Sequence, residues 1–319
     1  MTPTPQTAGS AVTLAEIQAA RTRIAPYVFR TPLHPMVGGP WLKLESLQIT
    51  GAFKPRGAFN HVLAHRQACA PGVITASSGN HGQAVAYVAH VLGLRAVVVV
   101  PDDVVSVKAR RITAFGAELI RCGRFSVERV ALAQELAARR GLHYVPPFDD
   151  LDVIAGQGTV GLEVVEQSSA TTTVFVPVSG GGLIAGVAVA VKGLLPNARV
   201  IGVEPLGANR FARSRATGIP VTIEHAETIA DGLRVLTPGR ITWEITQRVV
   251  DDFVGVDDEA ILAAERRLLS EANILTEPSG AASVAGALQL GMTGPGVVAV
   301  VSGGNVEPSL LRRLLDADP

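Results

Sequence analysis

Six short apolar runs punctuate the chain, and most are separated by stretches long enough for a helix. Five of them, Val73 to Ala76, Ala96 to Val100, Val174 to Val178, Val200 to Val203 and Val297 to Val301, are nearly continuous in apolar, largely β-branched side chains. That is the pattern of parallel strands covered on both faces. The sixth, Trp41 to Glu45, alternates as a strand does. Helical periodicity falls at about 57–66, 80–92, 106–115, 126–140, 154–167, 182–194, 257–272 and 279–290, much of it alanine-rich. An earlier helix should start after Thr13, with Glu16 placed to complete a capping box. The first ten residues, MTPTPQTAGS, are expected to be disordered. Strands alternating with helices predict an α/β fold built on parallel sheets, whose ligands bind beyond the carboxyl ends of strands.

Unusual sequence sits at three of those ends. Ser77-Ser78-Gly79-Asn80-His81-Gly82-Gln83 follows the run ending at Ala76, Ser179-Gly180-Gly181-Gly182-Leu183 follows Val178, and Ser302-Gly303-Gly304-Asn305 follows Val301. Glycines at a helix start let backbone N–H groups converge on an anion, and the helix dipole adds to the attraction, so phosphate is the expected guest. One such turn is ordinary; three after three strands point to a site. Lys54, in TGAFKPRGAFN, lies just beyond the Trp41 run at the start of a helix expected from about Gly57 to Arg66. An apolar setting, with Phe53 beside it, favours the neutral amine, which is nucleophilic and forms a Schiff base with an aldehyde. His61 and His65 have metal-ligand spacing, but no third ligand is near them in the sequence, so solvated or satisfied histidines are the expectation.

Composition narrows the class of partner. The 319 residues include 28 basic and 28 acidic side chains, so no net field draws nucleic acid or an anionic membrane. No apolar stretch is long enough to span a bilayer, and the amino terminus lacks the features of a secretory signal. Two isolated cysteines, Cys69 and Cys122, argue against a disulfide framework and for a reducing compartment. The expectation is a cytoplasmic protein that handles a small molecule.

One stretch imitates another fold. VFVPVSGGGLIAGVAVAVKGLLPNARVIGVEP reads as strand, Gly180-x-Gly182-x-x-x-Gly186, helix, strand and terminal Glu204, which resembles a dinucleotide fingerprint and allows a nicotinamide-dependent oxidoreductase as an alternative. That reading leaves Lys54 and the other two turns without roles.

Taken together and in order, GAFKPRGA, SSGNHGQA, SGGGL, GVEP, TIADGL, EPSGA and SGGN resemble the pyridoxal-phosphate enzymes of the tryptophan-synthase-β fold type, within them the serine/threonine dehydratase and serine racemase family. The resemblance runs from about Thr31 to Asn305. It implies a two-lobed α/β architecture of PLP fold type II: a large cofactor-binding domain from residues 1–51 and 147–319, a small domain of residues 52–146 inserted in it, and no regulatory domain. It implies pyridoxal 5'-phosphate held as a Schiff base by Lys54, which then acts as the base at the α-carbon, with Phe53 beside the ring. Asn80 would bond the ring hydroxyl, Gly180, Gly181, Gly182 and Leu183 the phosphate, and Ser302 would face the pyridine nitrogen. Ser77, Ser78, Gly79, Asn80 and His81 would receive the substrate, a small hydroxy amino acid. Ser179 stands where many relatives have another glycine.

The implied reaction is α,β-elimination from serine or threonine, giving a 2-oxo acid and ammonia. Ser78, on the face opposite the lysine in the racemases of this family, keeps amino acid racemisation open as an alternative. Dehydration of 3-hydroxyaspartate or 3-phenylserine and an inactive amino-acid sensor are others. Family resemblance suggests a homodimer. Metal-activated members bind a divalent cation after the GVEP strand; here Glu204 and Ala208 fit, but Arg210 occupies an expected acidic position, and a guanidinium cannot ligate a metal. No metal is therefore expected there. Asp231 would be a nearby supporting or turn-forming group. The substrate pocket is expected around Phe148, Ile154 and Ala208 to Arg210, with Arg210 placed to meet an acidic substrate side chain.

Overall fold

The computed structural model describes residues 12–104, 106–123 and 126–316; the first ten residues, expected to be disordered, lie outside the described residues. In chain order the strands are β1 (Leu33–His34), β2 (Pro40–Leu44), β3 (Val73–Ala76), β4 (Ala96–Val100), β5 (Glu118–Arg121), β6 (His143–Tyr144), β7 (Thr173–Pro177), β8 (Arg199–Pro205), β9 (Asp252–Val256) and β10 (Gly294–Val301). The four in the middle of the chain make one parallel sheet, in the order β5-β4-β3-β6. The other six make a second sheet in the order β1-β2-β10-β7-β8-β9, parallel throughout except for the β1–β2 pair.

Each sheet is covered on both sides, because its strands send alternate side chains to opposite faces. In the six-stranded sheet Val174, Val176, Val178, Val298 and Val300 pack with Ile184, Val187 and Val191 of the helix Gly182–Leu194. Phe175, Ile201, Val203 and Val301 pack on the other side against Ile261, Leu268, Ala281 and Val284 of the helices Asp258–Ala272 and Pro278–Gln289. The four-stranded sheet repeats the scheme: Val73, Val98 and Val100 meet the helix Asn80–Leu92, and Ile74, Val97 and Val99 meet the helix Ser126–Arg140. The first helix, Leu14–Ile24, is capped by Thr13 and Glu16 in the expected capping box.

Several boundaries differ from the sequence expectation. The Trp41 strand ends at Leu44, and Glu45 opens a 3-10 turn. The lysine helix runs from Lys54 to Ala64 rather than from about Gly57: Pro55 lies in its first turn, where a missing N–H costs nothing and a fixed φ suits the helix. The strands β1, β5, β6 and β9 and the helices Arg210–Thr217 and Arg240–Val249 are additions to the expected elements. Cys69 and Cys122 are both free thiols. Among the described residues no helix is long and apolar enough to cross a membrane.

Candidate active site

The chain around Lys54 is pinned to the end of β10. Ala52 bridges Gly303, the Phe53 N–H donates to the Ser302 carbonyl at 3.1 Å, and the Gly304 N–H donates to the Gly51 carbonyl at 2.8 Å. The tight path puts Thr50 at φ 67 and Gly51 at φ 74, the left-handed region that costs a side-chain-bearing residue energy. The Asn305 side chain donates to the Thr50 carbonyl at 2.8 Å and to Asn80 Oδ1 at 2.7 Å. One asparagine thus links the lysine segment to the SSGNHGQ turn of the other sheet.

Lys54 Nζ donates to the Pro147 carbonyl at 2.8 Å and sits 5.1 Å from the Phe53 ring centroid. Burial, with no carboxylate to offset it, pulls the amine down to about 8, because an apolar setting disfavours the charged form. The SSGNHGQ turn follows β3, and Asn80 opens the helix Asn80–Leu92. Asn80 Nδ2 donates to Glu277 Oε1 at 2.6 Å. Glu277, from the EPSGA motif, is pushed up to about 7 by burial and then by the charge of Asp231. His81 Nε2 lies 3.1 Å from the Val145 carbonyl, to which its N–H donates, leaving a buried Nδ1 without a partner. Burial, together with the Lys54 and His61 charges, holds His81 down to about 3, so it is neutral.

The glycine turn follows β7 and opens the helix Gly182–Leu194. Gly181 adopts φ +95, and a Cβ there would strike Phe211 and Thr242. A Cβ on Gly180 would lie 2.4 Å from the Phe148 ring. The turn is therefore bare backbone at the amino end of a helix, with the buried Ser179 hydroxyl lacking any hydrogen-bond partner. An orphaned hydroxyl beside a helix N-terminus fits an anionic group such as phosphate. Ser302 is almost fully buried, its hydroxyl 3.4 Å from the Ser279 carbonyl.

All of these groups face one cavity of about 320 Å³. Its lining brings together the sequence-singled residues of all three turns and Lys54: Phe53, Lys54, Ser77, Ser78, Gly79, Asn80 and His81, then Gly180, Gly181, Gly182 and Leu183, then Ser302. Phe148 lines it as expected, but Ile154, Ala208 and Arg210 do not. Arg210 is fully buried behind the glycine turn. Its guanidinium donates to the carbonyls of Ser179 (3.0 Å), Ala208 (2.5 Å), Leu233 (2.9 Å) and Val178 (2.7 Å), and lies 3.8 Å from Glu204. It is not free to meet a substrate side chain. Glu204 accepts from the Phe211 and Ala212 N–H groups at 3.0 and 2.9 Å, so it caps the helix Arg210–Thr217 and is unavailable to a nucleotide ribose, contrary to the dinucleotide reading. Glu277, Asn305 and Lys108 also line the cavity. Sequence reasoning passes over Glu277 although its motif is in view, because a carboxyl buried beside Asn80 is visible only once two distant turns meet.

The family model described as pyridoxal-phosphate dependent enzyme matches residues 24–303. The chain belongs to the pyridoxal-phosphate-dependent enzyme family. Within that family it is 40% identical to the catabolic L-threonine dehydratase of Staphylococcus aureus, over 93% of this chain and 90% of the relative. It is 37% identical to a serine racemase of Oryza sativa, over 95% and 94%. Among solved structures it superposes on maize serine racemase with a TM-score of 0.91 at 36% identity, covering 96% and 97% of the two chains. On a threonine deaminase from T.th. it gives 0.88 at 41% identity, covering 92% and 99%. The α/β fold is thus that of a type II pyridoxal-phosphate enzyme, and pyridoxal 5'-phosphate is its cofactor. Lys54 and the glycine turn are where the residues present suit the aldehyde and the phosphate.

Proposed function

We propose that the protein is an ammonia-lyase that converts a 3-hydroxy amino acid, of the L-threonine or L-serine class, to a 2-oxo acid and ammonia by α,β-elimination. The observation that carries this reading is the convergence on one cavity of a buried, weakly basic amine, an anion-receptive helix start and a turn of small hydroxyl-bearing residues. When bound, pyridoxal phosphate supplies an aldehyde that takes up amines and a ring that withdraws electrons from the α-carbon. Lys54 holds the aldehyde, and its amine, once released and neutral, takes the α-proton. The Gly180–Leu183 turn and the Ser179 hydroxyl hold the phosphate. Ser77, Gly79 and the neutral His81 receive the substrate carboxylate, while Asn80 addresses the ring hydroxyl. Ser302, which lines the cavity, would offer the cofactor's ring nitrogen a hydroxyl and not a carboxylate, and so would not hold a full proton there. Given back the proton that Lys54 took from the α-carbon, the β-hydroxyl would depart as water, and the enamine released would take up water to give the 2-oxo acid and ammonia.

Ser78 favours a second activity of the same site. It lines the cavity with Lys54, and a hydroxyl able to exchange a proton with the other face of the α-carbon supports racemisation, the activity named for the rice and maize relatives. The expected two-lobe division, residues 52–146 against the rest, belongs to this reading, as do a cytoplasmic location and a homodimer. Arg210 extends it: the guanidinium fills a ring of four backbone carbonyls beside Glu204, so a fixed cation occupies the place of a metal activator.

One experiment tests these points together. Serine, threonine, 3-hydroxyaspartate and 3-phenylserine are supplied to the chelator-treated holoenzyme, with and without magnesium, while 2-oxo acid, ammonia and substrate chirality are followed. Oxo acid and ammonia in equal amounts, unaffected by magnesium and lost in Lys54→Ala, are expected. Chirality change without oxo acid would make the protein a racemase, no turnover would revive the silent sensor, and recovery by magnesium would sink the Arg210 reading.

A further inference from the structure

His61 and His65 lie one turn apart on the lysine helix, and the fold supplies the partners that the sequence around them lacks. His143, the first residue of β6, arrives from 82 positions away, and Asp152, in the first turn of the helix Leu151–Gln167, is 87 positions from His65. The three imidazole rings form a triangle with centroid separations of 4.8, 5.1 and 5.3 Å. The ligating atoms of His61, His65 and Asp152 all lie within 4.8 Å of one another. Two pairs are closer still: His61 Nε2 is 2.9 Å from His143 Nε2, and His65 Nε2 is 2.9 Å from Asp152 Oδ2.

The orientation of the central ring is fixed. His61 Nδ1 lies 2.9 Å from Asp150 Oδ1, which also accepts the Val153 N–H at 2.9 Å as the cap of its helix. The Nδ1–H donates to that carboxylate, so Nε2 carries the lone pair and points into the cluster. A carboxylate behind the far nitrogen of an imidazole is the arrangement that orients histidines on metals and makes them better donors.

We propose that His61, His65 and Asp152 form a site for a zinc-class divalent cation, with His143, beside His61, drawn in as the fourth donor when the ion binds and Asp150 as the positioning residue behind His61. Three imidazoles and one carboxylate suit zinc, cobalt(II) or nickel(II) and not magnesium or calcium, which take oxygen. Zinc bonds of about 2.0–2.1 Å in a tetrahedron place neighbouring donors about 3.3 Å apart, so the two 2.9 Å pairs open by about 0.4 Å while the wider pairs, up to 4.8 Å among His61, His65 and Asp152, close by as much as about 1.5 Å. The His61 side chain is 4% exposed, while His65 and Asp152 are 41% and 33% exposed. The cluster is anchored on one side and reachable from solvent on the other.

Four protein ligands leave no open position, so the ion is structural. It would join the helix whose first residue is Lys54, the edge of the four-stranded sheet at β6, and the helix Leu151–Gln167 that packs beneath the lysine helix. None of this depends on the cofactor or on the reaction assigned above.

The test uses chelator-treated holoenzyme. Zinc is titrated calorimetrically, cobalt(II) is followed by its visible absorption, and melting temperature is read with each metal. One equivalent per chain, an intense tetrahedral cobalt spectrum and a raised melting temperature that magnesium does not reproduce are expected. His65→Ala and Asp152→Asn, both on the exposed side of the cluster, should keep the fold and weaken binding by more than about tenfold. His90→Ala, an exposed histidine elsewhere, should change nothing. The absence of saturable binding in the unaltered protein, a weak octahedral cobalt spectrum, or binding that survives both substitutions would overturn the site. Because that outcome is read with zinc and cobalt, it is separable from a magnesium requirement of the reaction.

Discussion

The amine of Lys54 is held where charge is disfavoured, and its one hydrogen-bond acceptor is the neutral Pro147 carbonyl. No carboxylate offsets the loss of solvent, so the amine sits near 8 instead of at the ordinary lysine value of 10.5. The sign of the consequence follows from the role proposed for Lys54: with the neutral amine as the base at the α-carbon, the working form grows with pH until the amine is titrated. In pre-steady-state or kcat measurements the rate should rise about tenfold per pH unit below about pH 8 and level off above it. A flat profile from about pH 6 to 9 would assign the proton transfer to another group. Glu277, raised to about 7 by burial and then by the Asp231 charge, accepts from Asn80 Nδ2 at 2.6 Å and changes charge near neutral pH.

The lysine helix is positioned from below by ions. Arg56, in its first turn and fully buried, pairs with Glu45 through Nε–Oε2 at 2.7 Å and Nη2–Oε1 at 2.8 Å, and with Glu163 through Nη1–Oε1 at 2.7 Å. Lys43 also pairs with Glu163, at 2.6 Å. Burial alone would raise the Glu45 carboxyl, but the Arg56 guanidinium and its hydrogen bonds bring it below its usual value. A depressed carboxyl contributes stability that is present above the unfolded-state value and is lost as pH falls through the folded one, so this network weakens in acid. Arg56→Met keeps much of the side chain's length and leaves two buried carboxylates short of a cation. Removing one partner from a buried pair costs about 3–5 kcal/mol, and equilibrium unfolding of the apoprotein at neutral pH should show a loss of that size. A loss under about 1 kcal/mol would mean that water replaces the guanidinium freely.

Between the two sheets the cleft is spanned by a few polar ties. Lys108, on the helix Ser106–Thr113, reaches Asp231 at 2.5 Å and Glu307 at 2.9 Å, both outside the four-stranded sheet's part of the chain. Lys108 and Asp231 also line the cavity. A contact between the two sheets' parts of the chain that borders the cavity should act on turnover more than on folding. Lys108→Ala is expected to raise KM or lower kcat several-fold while lowering melting temperature by no more than about 4 °C, the change of half-buried ion pairs worth about 1 kcal/mol together. A large drop in melting temperature with unchanged kinetics would make the tie purely structural.

What the sequence determined was the interior of each sheet. The six strands it revealed, β2, β3, β4, β7, β8 and β10, are the six with neighbours on both sides; the four it hid, β1, β5, β6 and β9, are the four edges. Five of the interior strands are apolar on both faces and legible as runs, and β2, with Lys43 buried in it, is legible as an alternation, whereas an edge strand such as Glu118–Arg121, with a charged residue at each end, carries no such signature. The three turns and Lys54 were legible because their chemistry is local: backbone geometry and a neighbouring apolar side chain. Tertiary structure alone decided the rest, since it turns on partners far apart in the chain: Pro147 under Lys54, Glu277 on Asn80, the carbonyl ring around Arg210, and His143 with Asp152 beside His61 and His65. Local patterns encode which backbone conformation is stable, but the environment of a charge depends on what the fold brings against it.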